Sequence, residues 1–373
     1  MAKYRLILIF IVALLFLMGC VTIFDASAGE LIDTKSHRSL WGAMLKQLAW
    51  GVAGVSIGAF CYRFGYQNFL KLSRPLLYAA CVLLLMVFIP GIGISANGAR
   101  RWVGLFGFSI QPSEFVKYIV PMYLISVLSN GKVQTRKEFY TVLAPVALAL
   151  LLILLEPNNG TAFVISLTSG ILILFLNIPV RFWIVPAACL VALSLLFAWK
   201  KGYVRARINT YLNPEQDIKG KGHQPHQAKI AAGSGGLFGL GLGKSMQKLS
   251  YLPEAQNDYI AAIYAEEFGL IGVFLLLSCY IVIGLIGLRI ALFADGLQAQ
   301  LLAGCIAFLF CFQACMNLGV VSGLLPSTGL NLPFFSQGGS SLIANLSGLG
   351  LLLNCSLPSQ TSIPARKIVE FSL

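Results

Sequence analysis

The chain is short of charge, and shortest of acid. Charged residues make up 11% of its 373 positions, with 14 Asp and Glu against 27 Lys and Arg, whereas a soluble domain carries about 25%. That shortage excludes a soluble globular protein. Histidine occurs three times, too thinly for a His-rich metal centre. The nine cysteines (Cys20, Cys61, Cys81, Cys189, Cys279, Cys305, Cys311, Cys315 and Cys355) lie in or at the ends of apolar runs. A free Cys there behaves as a small hydrophobe, and neither a disulfide framework nor a metal-ligand spacing stands out. What is present in abundance is apolar: 57% of residues, with a mean hydropathy of +0.81. The composition is that of an integral membrane protein.

Apolar runs of about 20 residues cross a bilayer as helix. The sequence predicts an all-α, polytopic protein with about ten transmembrane helices, near 5–25, 45–62, 75–90, 113–130, 138–156, 160–178, 182–199, 262–288, 298–321 and 340–357, read as a single membrane domain over 1–373. Leu17-Met18-Gly19-Cys20 imitates a lipoprotein cleavage signal, but the apolar run continues to Phe24, so a first membrane helix is the expectation. Lys and Arg concentrate in the loops that an N-in/C-in orientation places in the cytoplasm, among them Arg63, Lys71, Arg74, Lys132, Arg136, Lys137, Arg181 and Arg289. One long extracytoplasmic loop, 200–258 between helices 7 and 8, departs from that pattern with nine basic residues against four acidic ones. A cationic loop facing outward invites an anionic ligand, or lipid head groups. The net charge of +13 is scattered over short loops rather than gathered on one module, which argues for membrane lipid and against nucleic acid.

Several motifs fail on inspection. GSGGLFGLGLGKS, residues 233–245, imitates a phosphate-binding loop, but the first glycine of G-x-x-x-x-G-K-S would fall on Phe238. A Gly-rich apolar segment still suits close backbone packing or the approach of a bulky ligand. His223 and His226 lack a carboxylate or thiol pattern that would complete a metal site. The serines of SQGGSS at 336–341 have no histidine nearby and suit capping and packing.

Carboxylates are the sharper signal, because ionisable groups at membrane depth are costly. Glu254, Asp258, Glu266 and Glu267 crowd into fourteen positions. Glu266 and Glu267 are adjacent and point to different helix faces, whereas Glu254 and Asp258 are four apart. Asp258 stands at the expected outer boundary, as a functional acid or as a helix-start dipole partner. Glu114 and Lys117 are three apart at a helix start and can pair.

With these segments in view, the chain resembles the SEDS family (shape, elongation, division and sporulation) of bacterial cell-wall polymerases, over nearly its full length. NGARRWVGLFGFSIQPSEFVK at 97–117, RARINTYLNPEQD at 205–217, HQAKIAAGSGGLFGLGLG at 226–243, YLPEAQNDYIAAIYAEEFG at 251–269 and GLLPSTGLNLPFFSQGGSS at 323–341 follow the family's blocks in order. ARRW and YLPEA are nearer to the FtsW branch than to RodA. Three blocks depart from the pattern. The family's Q-P-D stands here as Glu156-Pro157-Asn158, its H-T-D as Gln256-Asn257-Asp258, and a Pro and a Tyr of the last block as Asn331 and Gln337.

The resemblance implies transfer between two molecules of lipid II, the lipid-pyrophosphate-linked disaccharide-pentapeptide, on the outer face of the bacterial cytoplasmic membrane, in cell division. It implies Asp258 as the general base and Arg101, Lys117, Arg205 and Arg207 as cations for pyrophosphate, with Glu114 orienting Lys117 or Arg101 and Glu254 as local support. A pyrophosphate leaves without protonation if its charge is stabilised, so a second carboxyl acid is not required, unlike in glycoside hydrolysis. A divalent cation, Mg²⁺ or Mn²⁺, could bridge pyrophosphate and carboxylate, although no dedicated ligand set is visible. The implied partners are a class B penicillin-binding transpeptidase and other division proteins. Two other classes suit the same composition: a flippase for the lipid-linked precursor, whose site would be expected near the midplane, and a non-catalytic scaffold.

Overall fold

The computed structural model describes residues 1–34, 41–96, 99–105, 108–129, 131, 133–200, 211, 223–248 and 256–358. The expected Arg205, Arg207 and Glu254 lie outside the described residues. The helices are α1 (Ala2–Thr34), α2 (Gly42–Phe64), α3 (Tyr66–Met86), α4 (Pro112–Leu128), α5 (Arg136–Leu155), α6 (Asn159–Phe175), α7 (Val180–Lys200), α8 (His223–Ser234), α9 (Ile260–Phe293), α10 (Leu297–Val321) and α11 (Gly339–Cys355). All but the short α8 fall on the apolar runs.

Among the described residues six helices, α1, α2, α3, α5, α9 and α10, are long and apolar enough to cross a membrane, and apolar stretches of α6, α7 and α11 are shorter. Leu270, Ile271, Phe274 and Leu285 on α9 and Val52, Val55 and Phe60 on α2 are exposed. Such surfaces are stable against hydrocarbon and costly against water, at about 25 cal/mol per Å².

α1 runs unbroken through Gly19-Cys20, and Gly19 faces the Phe335 backbone closely enough that a Cβ there would collide with its carbonyl. α2 and α11 meet through Gly54, Gly58 and Gly350, the close backbone approach that small residues permit in membranes. The third helix begins at Tyr66 rather than near Pro75, which sits inside it. Asn354 is the reason: its Oδ1 accepts from the Tyr66 backbone N–H (2.8 Å) and its Nδ2 donates to the Tyr62 carbonyl (2.9 Å), fixing the turn between α2 and α3.

One feature departs from an all-helical expectation. Between α3 and α4 lies a small antiparallel meander of β1 (Gly93–Ala96), β2 (Ala99–Leu105) and β3 (Phe108–Ile110), with Ala96 opposite Ala99 and Val103 opposite Ile110. The signal for it is in the sequence: Asn97-Gly98 separates β1 from β2, and Asn-Gly between short strands is the strongest short-range hairpin signal.

The Gly-rich segment has a structural role of its own. α9 is broken at Gly269 (φ 64°, ψ −164°), and the loop after α8 supplies the hydrogen bonds the helix loses there. Leu240 and Gly241 N–H groups donate to the Glu266 and Glu267 carbonyls (both 3.0 Å), while Leu270 N–H donates to the Gly236 carbonyl (2.9 Å). Gly239 must be glycine at φ 79°, where a Cβ would also strike the Glu267 carbonyl. Beyond it, the two carboxylates gather the loop's donors. Glu266 accepts from Ser245 Oγ (2.5 Å) and Met246 N–H (3.1 Å). Glu267 accepts from Gly243 N–H (3.1 Å) and from Lys248 Nζ (3.1 Å), and Lys248 in turn pairs with Asp25 of α1 (2.7 Å). In this look-alike of a phosphate loop, the anions are the chain's own side chains. Replacing Glu266, which is 1% exposed, by Ala leaves Ser245 and Met246 without their acceptor. The expected loss is roughly 2–3 kcal/mol, read as a lower melting temperature of the detergent-solubilised protein; an unchanged melt would show the loop to be held by other means.

Candidate functional site

A cavity of about 650 Å³ opens among the sheet, α8, the residues just before α9, the end of α10 and the segment leading into α11. Among the described residues its charged lining consists of one carboxylate, Asp258, and one guanidinium, Arg101. These two expected site residues are distant in sequence and are brought to the same space. Tryptophans Trp50 and Trp102 and the uncharged polar side chains Gln111, Asn257 and Ser341 supply much of the rest.

A β-bulge places Arg101 there: Ile94 lies opposite Trp102 and Ser95 opposite Arg100, which leaves Arg101 as the extra residue, half-buried while Arg100 is exposed. Its guanidinium donates through Nη2 to the Pro157 carbonyl (2.6 Å) and through Nε to the Glu156 carbonyl (3.3 Å). The cation is thereby seated on the turn between α5 and α6. In that turn Asn158 takes the helix-capping role, accepting from Thr161 N–H (3.4 Å) and donating to Ser113 Oγ (3.0 Å).

Asp258 is held through its backbone. Asn317 Nδ2 on α10 donates to the Asp258 carbonyl (2.8 Å) and to the Leu330 carbonyl (2.7 Å), and Gln337 N–H donates to the Gln256 carbonyl (3.0 Å). The two substituted positions of the last block meet each other, with Asn331 Nδ2 donating to the Gln337 carbonyl (3.3 Å). Four residues before Asn317 on the same helix, Gln313 donates to the Asn331 carbonyl (2.8 Å). Asn317 and Gln313 together tie the Asp258 segment to the opposite wall. The sequence reading missed both, though polar residues at i and i+4 inside an apolar helix are a readable sign of a buried polar contact.

Glu114 and Lys117 form the pair that their spacing predicts, outside the cavity lining. They pair at 2.7 Å, but Lys117 is 2% exposed and is absent from the cavity lining. Its second partner is Gln313 Oε1 at 2.8 Å. The pair is linked through Gln313 to the Asn331 segment of the cavity wall. Three-residue spacing sets a shared face, but not what that face meets.

Among the described residues no group of three or more His, Cys, Asp or Glu could hold a metal ion. His223 and His226 lie in the first turn and a half of α8 without a third such partner. A Mg²⁺ ion, which is commonly bound by one or two carboxylates plus substrate phosphates, would find one carboxylate among the described residues of the cavity wall, Asp258.

The sequence profile described as "Cell cycle protein", for FtsW, RodA and SpoVE, matches residues 5–361. The chain is 35% identical over 359 residues to the "Probable peptidoglycan glycosyltransferase FtsW" of Trichlorobacter lovleyi, covering 95% of this chain and 94% of that one. It is 38% identical over 354 residues to the Stage V sporulation protein E of Bacillus subtilis, covering 94% and 96%. Among solved structures, it superposes with a TM-score of 0.73 and 27% identity on a chain from a study of how a peptidoglycan synthase complex coordinates polymerization and crosslinking, covering 94% of this chain and 96% of that one.

Proposed function

This chain belongs to the FtsW, RodA and SpoVE family of cell cycle proteins, and on that footing we propose how it works as a peptidoglycan glycosyltransferase: Asp258 takes the proton of an acceptor hydroxyl while Arg101 holds the donor's pyrophosphate. The observation that carries this reading is the pairing of one carboxylate with one guanidinium as the charged lining of a single cavity.

The substrate is lipid II, as donor and acceptor. The acceptor hydroxyl oxygen forms a bond to the donor's anomeric carbon as the bond from that carbon to the pyrophosphate oxygen breaks. The hydroxyl proton passes to the Asp258 carboxylate, and the electron pair leaves with the lipid pyrophosphate. A positioned base contributes roughly 10²–10⁴ in rate, and a preorganised cation in a site shielded from water stabilises the developing charge on the leaving group. Arg205 and Arg207 add positive charge from the outer loop and Glu254 supports the Asp258 segment. Lys117 and Glu114 position the wall. If a divalent cation is used, Asp258 would help to hold it, and it would supply further stabilisation of the charge on the leaving pyrophosphate.

The protein is a multi-pass membrane protein. In the N-in/C-in orientation, the sheet, the α5–α6 turn, Asp258 and the segment before α11 all lie on the outer side, where the substrate's sugar and peptide are presented. A cavity at that end suits a polymerase better than a flippase, whose site is expected near the midplane. The crosslinking partner is a class B penicillin-binding transpeptidase, in keeping with the complex to which the chain is structurally similar, and the division site is the place of action.

Reconstituting the purified protein with lipid II, with and without Mg²⁺ or Mn²⁺ and with and without the transpeptidase, tests the whole reading. Glycan polymer is the expected product. Movement of lipid II across liposomes with no polymer would establish a transporter instead.

A further inference from the structure

Glu156 lies where α5 ends, between the sheet and the start of α6. Its side chain is fully buried, and neither carboxyl oxygen has a hydrogen-bond partner. The charge acting on it is Arg101, whose guanidinium is anchored on the carbonyls of Glu156 and Pro157 and which lines the cavity. Among the described residues the packed elements bring no other charge to bear: Arg100, the neighbour of Arg101 on β2, is exposed. On α4, Glu114 and Lys117 are engaged with each other; α6 carries no charged residue; on α5, Arg136, Lys137 and Glu138 lie at the opposite end.

A buried carboxylate with no donor is costly, so the group resides as the neutral acid. Burial pushes it up to about 8, and Arg101 pulls the other way.

We propose that Glu156 is a positioning residue acting through Arg101: as the neutral acid it leaves the guanidinium charge directed at the cavity, and as the carboxylate it competes with the bound pyrophosphate for that charge. The proposal deepens, and rests on, the reading of the cavity as the polymerase site. It gives a consequence to the Glu156-Pro157-Asn158 exchange, which sets an acid behind the arginine and an amide at the helix cap. The proton of Glu156 goes to solvent and takes no part in turnover.

The test is the KM for lipid II of the full-length reconstituted protein at pH values on either side of 8, the midpoint set by burial of Glu156. In the wild type, KM is expected to rise roughly tenfold as pH passes through that midpoint, the effect of weakening one charged hydrogen bond, and kcat to fall with it, since the same charge stabilises the leaving pyrophosphate. Glu156→Gln, a permanent mimic of the neutral acid, should lose the rise and keep the low KM. Difference infrared spectra without substrate supply a second readout, a protonated-carboxyl band that titrates in the wild type, is missing in E156Q, and moves to higher pH in Arg101→Gln. The same KM profile in wild type and E156Q, or a band indifferent to Arg101→Gln, overturns the proposal. If E156Q does not fold, Glu156→Asp serves: a shortened acid must shift both midpoints, and unmoved midpoints overturn it. A band that behaves as expected in a protein that makes no polymer upholds the coupling and sinks the polymerase reading instead.

Discussion

Asp258→Asn is expected to reduce lipid II polymerisation by roughly 10²–10⁴ while leaving the protein folded and inserted. The fold should tolerate the change because the segment is held through its backbone: the Asp258 carbonyl accepts from Asn317, and Gln256 and Gln337 are joined main chain to main chain. An amide of the same shape keeps those bonds and loses the basicity. The measurement is polymer formed per unit time beside a thermal melt of the same preparation. A wild-type rate would remove Asp258 from the chemistry. A collapsed melt would mean that its carboxylate carries structure as well, and Asn317→Ala, which releases the backbone and leaves the acid, would then separate the two contributions.

The second large effect concerns Lys117, and it appears in stability before activity. Lys117→Met removes the cation from a pair in which lysine and glutamate side chains are 2% and 9% exposed. The remaining Glu114 would be a buried, uncompensated charge, and breaking such a pair costs roughly 3–5 kcal/mol. Gln313 loses the donor that orients it, so its bond to the Asn331 carbonyl loosens and the wall opposite Asp258 shifts. The expected result is a markedly lower melting temperature together with a reduced kcat. Adding Glu114→Gln to Lys117→Met removes the stranded charge and should restore much of the stability, since neutral replacement of both partners is often tolerated, but not the alignment of the wall. A single K117M variant that melts like the wild type would show the pair to be slack.

These two residues also mark how far the sequence could be read. Asp258 was identified from a carboxylate at a membrane boundary and a family block. The structure adds that Arg101, expected from a separate block, lines the same cavity, and that the amide of Asn317 holds the backbone. Spacing along the helix gives Glu114 and Lys117 a shared face, whereas Gln313, the neighbour that this face meets, comes from the fold. The short sheet escaped notice although Asn97-Gly98 announces it, since the strands beside that turn are too brief for a periodic signal. Glu266 and Glu267 had no readable role: their partners, Ser245, Met246 and Lys248, lie in a loop whose path depends on a break in α9.

The amino-acid sequence alone was enough for the helical membrane architecture, because in hydrocarbon each apolar run must satisfy its own backbone and does so as helix, a decision local to about 20 residues. Through the resemblance of their surrounding blocks it also nominated an acid, Asp258, and a cation, Arg101, which the fold brings to one cavity. Which polar groups share a cavity, which stand behind it and which cross-brace a broken helix was decided only in three dimensions. Those outcomes depend on contacts between residues remote along the chain, where the cost of burying a charge is set by the partner that the fold delivers.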